Sequence, residues 1–357
     1  MKNLIIKAPE DHHKKGMYAK RRNMRIAING FGRIGRSFLR MILLDDRARK
    51  NLEVVAINVG PEDSGQAALV FQYDSVMGTY PFPVEFQDGF LRVQGISIKM
   101  LAEKDPLQLP WKDLKIDWVV DCSGRFTHHQ DAMLHQKAGA TAVLVSAPGY
   151  DMDCSIIPGV NNEHYQKGKD TIVSLGSCTT NALMPLLKVI DEVWGIEYGM
   201  VVTTHSYTVS QALLDGFSKK DIRRGRAAAL NIVPTTTGSA RMIDLVLPKL
   251  KGKVTAAAIR VPVPKVSYID VTWVCDKELN IAEVNKAFEQ SAQNSLRGII
   301  EFCKLPLVSS DFAGNHHSVV LDALQTTVVG SMGKVCGWYD NEIGYSCRLK
   351  DFLLDIA

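Results

Sequence analysis

Two short apolar runs, Arg25-Ile-Ala-Ile-Asn29 and Leu52-Glu-Val-Val-Ala-Ile57, flank the segment Gly30-Phe-Gly-Arg-Ile-Gly35 and a helical stretch through Leu44. This order reads as strand, Gly-x-Gly-x-x-Gly turn, helix and strand, a βαβ unit whose glycines open the helix. The first glycine makes the tight turn and the second lets backbone approach a pyrophosphate. The third allows close helix–strand packing. Few other patterns restrict a chain so strongly, because parallel strands joined by a helix must bury both sheet faces.

The alternation continues. Ile116–Asp121 and Thr141–Ser146 read as further strands, separated by a helical stretch from Gln130 to Ala138. The result is an α/β, doubly wound parallel sheet. Ser146-Ala-Pro-Gly149 ends a strand, where such sheets gather ligands. Beyond residue 178 the strands lengthen and partly alternate, at Gly199–Thr204, Val254–Arg260, Val266–Val274 and Ser318–Asp322. Helical runs at Thr237–Leu247 and Ile281–Ser291 accompany them. This predicts an α+β domain on a mixed or antiparallel sheet, with a last helix at Ile343–Ile356.

At the junction lies Ile172-Val-Ser-Leu-Gly-Ser-Cys178-Thr-Thr-Asn181. Thr171 to Val173 reads as a strand end, and Gly176 and Ser177 as a tight turn and N-cap. Ala182 to Val193 then reads as a helix with Pro185 in its first turn. Cys178 thus sits near a helix N-terminus, where free N–H groups and the dipole favour a thiolate. The same groups can stabilise an oxyanion after that thiolate attacks a carbonyl. A buried cysteine in an ordinary strand–helix turn is the plainer reading.

At 357 residues the chain accommodates two domains. No apolar run approaches the roughly 20 residues that span a bilayer. The net charge of +4 is concentrated before residue 26, a weak argument for nucleic acid. Seven scattered Cys without a CxxC pair argue against a disulfide framework or zinc site and for a cytoplasmic setting. Residues 1–23 read as a disordered basic extension, or as an upstream start with Met24 opening the domain.

Six stretches together resemble phosphorylating glyceraldehyde-3-phosphate dehydrogenases. They are Asn29-Gly-Phe-Gly-Arg-Ile-Gly-Arg36, Ser177-Cys-Thr-Thr-Asn181, Arg223-Arg-Gly-Arg-Ala-Ala-Ala229, Pro234-Thr-Thr-Thr-Gly238, Arg260-Val-Pro262 and Trp338-Tyr-Asp-Asn-Glu342. The resemblance runs unbroken from about Met24. It implies a Rossmann NAD(P)-binding domain at 24–176, a catalytic α+β domain at 177–340, and a C-terminal helix at 341–357 returning to the first.

It also implies roles. Cys178 would be the nucleophile and His205 its base, giving a thiohemiacetal, hydride transfer to NAD(P), and release of an acyl phosphate by inorganic phosphate. An imidazole beside a thiol raises the thiolate fraction, which fits. Thr208, Arg224 and Arg260 fall to the substrate phosphate, and Ser177, Thr179, Thr237 and Gly238 to the attacking phosphate. Hydroxyls, N–H groups and guanidinium forks are what bind phosphate oxygens. Gly30, Gly32, Arg33, Ile34, Gly35, Lys104 and Ser146 fall to the cofactor. Asn341 would orient the nicotinamide carboxamide, with Tyr345 supporting the pocket. The resemblance implies a homotetramer acting on small-molecule substrates, glyceraldehyde 3-phosphate and inorganic phosphate, with no nucleic acid required and no membrane.

Three departures bear on this. NAD-specific members carry an Asp after the Asn that ends the second strand, but here Val59 and Gly60 follow Asn58. That carboxylate binds the ribose hydroxyls and repels a 2′-phosphate, so dual or NADP-leaning use is expected, with Asp63 as a second candidate for the ribose. The family's second Cys, one helical turn after the nucleophile, is Ala182. Leu175-Gly176 replaces Asn-Ala, and the glycine is expected to widen access. The rival activity is erythrose-4-phosphate dehydrogenase, disfavoured by Thr208 and Thr237-Gly238; aspartate-semialdehyde dehydrogenase shares the Cys–His logic without the six motifs. A non-catalytic binding protein on the same scaffold is the remaining alternative.

Overall fold

A computed structural model describes residues 22–218 and 221–357. The expected extension lies outside the described residues up to Arg21, and Arg22 pairs with Asp117 at 2.6 Å.

The first sheet is built from β1 (Met24–Asn29), β2 (Leu52–Asn58), β3 (Val84–Gln87), β4 (Phe90–Val93), β5 (Ile96–Leu101), β6 (Trp118–Asp121), β7 (Ala142–Val145), β8 (Cys154–Ser155) and β9 (Ile172–Ser174). Their order is β3-β4-β5-β2-β1-β6-β7-β9-β8, parallel throughout except at β3–β4 and β4–β5. Ile26, Ala27 and Ile28 of the central β1 are fully buried, as a strand covered on both faces requires. Its helices are α1 (Arg33–Leu43), α2 (Asp46–Asn51), α3 (Ser64–Gln72) and α4 (His129–Lys137). The chain passes from β1 to β2 on one side and later to β6 on the other. That switch opens a crevice at the strands' carboxyl ends.

The antiparallel edge β3–β5 was not expected. It is joined by two-residue turns at Asp88-Gly89 and Gln94-Gly95, all four residues with positive φ. Such turns match the twist of the strands they connect.

Next comes α5 (Cys178–Val193). It starts four residues earlier than expected, so Pro185 sits in its interior rather than its first turn. The ring leaves the Asn181 carbonyl without its helical donor. The helix tolerates this because α5 is buried along most of its length in the second core, with Leu183, Met184 and Leu186 wholly enclosed.

The second sheet comprises β10 (Tyr198–Ser206), β11 (Val233–Thr236), β12 (Val254–Val261), β13 (Ser267–Val274), β14 (Ile300–Cys303), β15 (Val319–Asp322), β16 (Thr327–Val329) and β17 (Met332–Tyr339). The order is β11-β12-β10-β13-β17-β15-β14, with β16 pairing β17. Only β10–β12 and β14–β15 run parallel, so the sheet is mixed and largely antiparallel. Pro234 fits because β11 is an edge strand. α6 (Ser239–Val246) and α7 (Ile281–Gln293) pack on this sheet with α5. The register of β10 on β12 sets His205 opposite Arg260.

Finally α8 (Ile343–Ile356) leaves β17 and crosses back to α1. Its Tyr345, Leu349, Phe352 and Leu353 join the first sheet's core.

Candidate active site

Cys178 is the first residue of α5. Gly176 before it adopts φ +63°, and a Cβ there would lie 2.9 Å from Thr180 Cγ2 and 3.2 Å from Ile157 Cδ1. A side chain there would be strained and crowded, so the glycine suits the turn. Ser177 Oγ accepts from Thr180 N at 3.1 Å, as an N-cap should. Asn181 Nδ2 donates to Leu175 O and Ser177 O, and the Tyr345 hydroxyl donates to Gly176 O at 2.8 Å. Three side chains thus pin the turn that presents the thiol. Ala182 is fully buried in the core behind it.

Cys178 Sγ lies 3.5 Å from His205 Nε2. On the ring's other side, Nδ1 is 2.7 Å from Ser206 O and 2.6 Å from Arg260 Nη1, which also donates to Ser206 O at 2.9 Å. With its proton on Nδ1 the ring offers Nε2 as a base to the thiol. With the proton on Nε2 it becomes a donor to the sulfur, and Arg260 donates to Nδ1.

Burial pushes the His205 imidazole down to about 3, reinforced by the Arg260 charge and opposed by Ser206 O. Burial also pushes the Cys178 thiol up, against the Arg260 charge and the N–H groups at the helix start. Burial thus works against a charged thiolate and imidazolium, while the Arg260 charge and the helix-start N–H groups favour the thiolate.

Polar groups surround this pair. Thr179 Oγ1 is 3.0 Å from the Tyr339 hydroxyl, which is 2.7 Å from Thr203 Oγ1, and the Tyr339 ring stands edge-on to His205. Ser177 Oγ meets Thr180 Oγ1 at 2.9 Å, and Thr180 Oγ1 meets Ser239 Oγ at 3.4 Å. Thr237 Oγ1 accepts from Ser239 N at 3.2 Å, just before α6, whose N-cap is Gly238. Gly238 faces Pro148, bringing this turn against the Ser146–Gly149 loop. Arg224 donates to Thr236 O at 3.2 Å and lies near enough to Arg260 to repel it. Thr208, two residues beyond β10, turns its hydroxyl to Ser210 at 2.9 Å. Tyr339 was missed from sequence as a site residue, although it lies within the quoted Trp338–Glu342 stretch.

The crevice of the first sheet forms a cleft of about 380 Å³, lined by Gly30, Gly32, Val59, Lys104, Ser123 and Arg125 among others. Gly30 has φ +90°, and a Cβ on it would sit 2.6 Å from Ser123 N. A Cβ on Gly35 would sit 2.2 Å from Gly30 O, whereas Gly32 meets nothing within 4 Å. These three environments match the tasks of a dinucleotide fingerprint, with the open glycine lining the cleft. The start of α1 carries no side-chain cap and no acidic residue, leaving its N–H groups to an anion. Ile34 packs against the core, and the Arg33 guanidinium is spent on Asp74 and Glu342. Ser146 follows β7, its N–H donating to Asp121 O at 3.0 Å, and is not among the residues that line this cleft. Asn341 is buried beyond β17, its Oδ1 accepting from Ser206 Oγ and Val266 N.

Two family descriptions match the chain: "Glyceraldehyde 3-phosphate dehydrogenase, NAD binding domain" over residues 24–129, and "Glyceraldehyde 3-phosphate dehydrogenase, C-terminal domain" over 177–341. Glyceraldehyde-3-phosphate dehydrogenase of Priestia megaterium is 45% identical over 335 residues, 94% of this chain and 98% of its own. Glyceraldehyde-3-phosphate dehydrogenase 2 of Bacillus subtilis is 43% identical over 335 residues, covering 94% and 97%. The chloroplastic glyceraldehyde-3-phosphate dehydrogenase A of Chlamydomonas reinhardtii is 47% identical over 336 residues, covering 92% and 88%. Matched in both domains and similar to such relatives over nearly its whole length, the chain belongs to the glyceraldehyde-3-phosphate dehydrogenase family.

Proposed function

We propose that this chain is a phosphorylating glyceraldehyde-3-phosphate dehydrogenase that works through Cys178 and His205. The observation that carries the reading is the 3.5 Å approach of Cys178 Sγ to His205 Nε2 at the head of α5. The Cys178 thiol gives its proton to Nε2 as sulfur bonds to the aldehyde carbon. N–H groups at the start of α5 would steady the oxygen that gains charge until the imidazolium returns the thiol's proton to it, and His205 takes that proton back as the hydride leaves the carbon. A bound nicotinamide supplies the hydride acceptor that this oxidation needs. Inorganic phosphate then attacks the thioester carbon, the C–S bond breaks, and sulfur recovers its proton from His205.

Arg260, Arg224 and Thr208 serve the substrate phosphate in this reading, and Ser177, Thr179, Thr237 and Gly238 the attacking one. Gly30, Gly32, Gly35 and the N–H groups of α1 hold the cofactor's pyrophosphate, with Lys104 along the cleft, Ser146 just after β7 and Asn341 at the nicotinamide end. Arg33 acts through its main chain. Two domains, 24–176 and 177–340, share the work, and 341–357 ties them together.

NADP or dual use is favoured by Val59, which puts no carboxylate at the ribose edge. Asp63 lines the same cleft but caps α3, its Oδ1 taking Gly65 N at 2.7 Å. Assembly as a homotetramer is supported by Leu213, Leu214, Phe217, Ile222 and Leu230, large apolar side chains left facing solvent in one segment. Seven unpaired cysteines support a cytoplasmic setting, and no helix among the described residues is long and apolar enough to cross a membrane.

Mass spectrometry tests the covalent step. Aldehyde and cofactor without phosphate should leave an acyl group on the Cys178 peptide that added phosphate removes. An unmodified Cys178 under turnover conditions would contradict the reading.

A further inference from the structure

Val266 has φ +66°, the sole β-branched residue in the left-handed region among the described residues. The others outside glycine are Asp88, Gln94, Lys115 and Asp151, residue types that such turns accept more readily. A strained β-branched residue is costly and persists only where its surroundings over-determine it. Here they do. The Val266 side chain is buried with Cys303, Phe312 and Val320. Its neighbour Lys265 makes an ion pair of 2.9 Å with Asp340, both side chains nearly sealed from solvent. Asp340 also accepts from Gly314 N at 2.7 Å and from Glu342 N and Ile343 N at the head of α8.

The strained residue performs one visible task. Its N–H points at Asn341 Oδ1, at 3.1 Å, and Ser206 Oγ approaches the same oxygen at 3.0 Å. A backbone N–H can only donate, so it fixes which end of the Asn341 amide is oxygen. The Nδ2 group is left unpaired among the described residues, and Ser206 follows directly on His205.

We propose that Lys265 is a positioning residue for hydride transfer: through its buried pair with Asp340 it holds Val266 in the strained turn that aims Asn341 Nδ2 at a carboxamide oxygen. This rests on the reading of Asn341 as the nicotinamide partner. Without the pair, the 265–266 turn relaxes, the Val266 N–H leaves Oδ1, and the amide flips between two orientations. The thiol chemistry at Cys178 does not depend on that amide.

The test is Lys265→Met, with Lys265→Arg as the conservative rescue, followed in two assays on the full chain. One is hydride transfer to NAD(P) with C1-deuterated and ordinary glyceraldehyde 3-phosphate. The other is hydrolysis of p-nitrophenyl acetate, which needs Cys178 but no nicotinamide. The expected result is a loss of about tenfold in hydride transfer with a larger isotope effect, and ester hydrolysis within about twofold of wild type. Lys265→Arg should recover most of the loss. If Lys265→Met leaves Asp340 uncompensated and the chain fails to fold, Lys265→Met with Asp340→Asn removes both charges and is read by the same split. Equal losses in both assays, or no loss in either, would overturn the positioning role. A wild-type chain that hydrolyses the ester but transfers no hydride would instead overturn the functional reading on which it rests, and the inference with it.

Discussion

Arg260 Nη1 lies 2.6 Å from His205 Nδ1, on the face of the imidazole opposite Cys178. One guanidinium therefore acts on both groups, adding to the burial that lowers the imidazole and pulling the thiol down against its burial. In the ligand-free protein, alkylation of Cys178 by iodoacetamide should rise with pH through the alkaline range, because burial keeps the thiol above its ordinary value. Arg260→Gln removes the favourable charge and should slow alkylation at pH 8 by about tenfold. An unchanged pH profile would show that Arg260 does not act on the sulfur.

Acid stability follows from the buried histidines. His135 and His205 are pushed down by burial to about 4 and about 3, while the unfolded chain protonates both near pH 6.5. Their contribution is complete above that pH and is lost as pH falls towards 4. Asp121 opposes them: burial raises it to about 6, so its contribution is lost as pH rises through that value. Two groups outweigh one, and urea unfolding should give about 2 kcal/mol less stability at pH 5 than at pH 7. His205→Gln should shrink that difference. Greater stability at pH 5 would contradict the balance.

The three fingerprint glycines should fail in different ways. Gly30→Ala and Gly35→Ala force a Cβ onto main chain at 2.6 and 2.2 Å and should lower stability measurably in urea, by at least about 1–3 kcal/mol. Gly32→Ala meets nothing within 4 Å, so its unfolding midpoint should hold while the KM for the cofactor rises. Equal effects at all three positions would mean that the open glycine is not where phosphate approaches.

Val59→Asp puts a carboxylate into the cleft at the position proposed to meet the ribose. The ratio of kcat/KM for NAD over NADP should rise by about tenfold or more, since like charges brought together cost several kcal/mol. A ratio that does not move would place the 2′ position elsewhere.

Much of this arrangement was legible in the sequence because its signals are local. The βαβ unit shows itself in a glycine triplet between apolar runs, and the Cys178 turn in Gly176-Ser177 ahead of a helical stretch. The start of α5 was misread because Pro185 ordinarily marks a first turn, and only the enclosing second core lets a helix carry it inside. The β3–β5 edge was missed although Asp88-Gly89 is a hairpin signal, since short strands bearing charges read as loop. The partners of Asn341 and the bridge from Thr179 through Tyr339 to Thr203 join residues 75 to 160 positions apart. Nothing local encodes them. They come from the registers of β10, β12, β13 and β17.

The account is tested most directly by NAD(P)H formation from glyceraldehyde 3-phosphate, with and without inorganic phosphate and with each cofactor in turn. It predicts sustained turnover only when phosphate is present, abolished by Cys178→Ser, with NADP at least comparable to NAD. Turnover indifferent to phosphate, or on erythrose 4-phosphate alone, would contradict it.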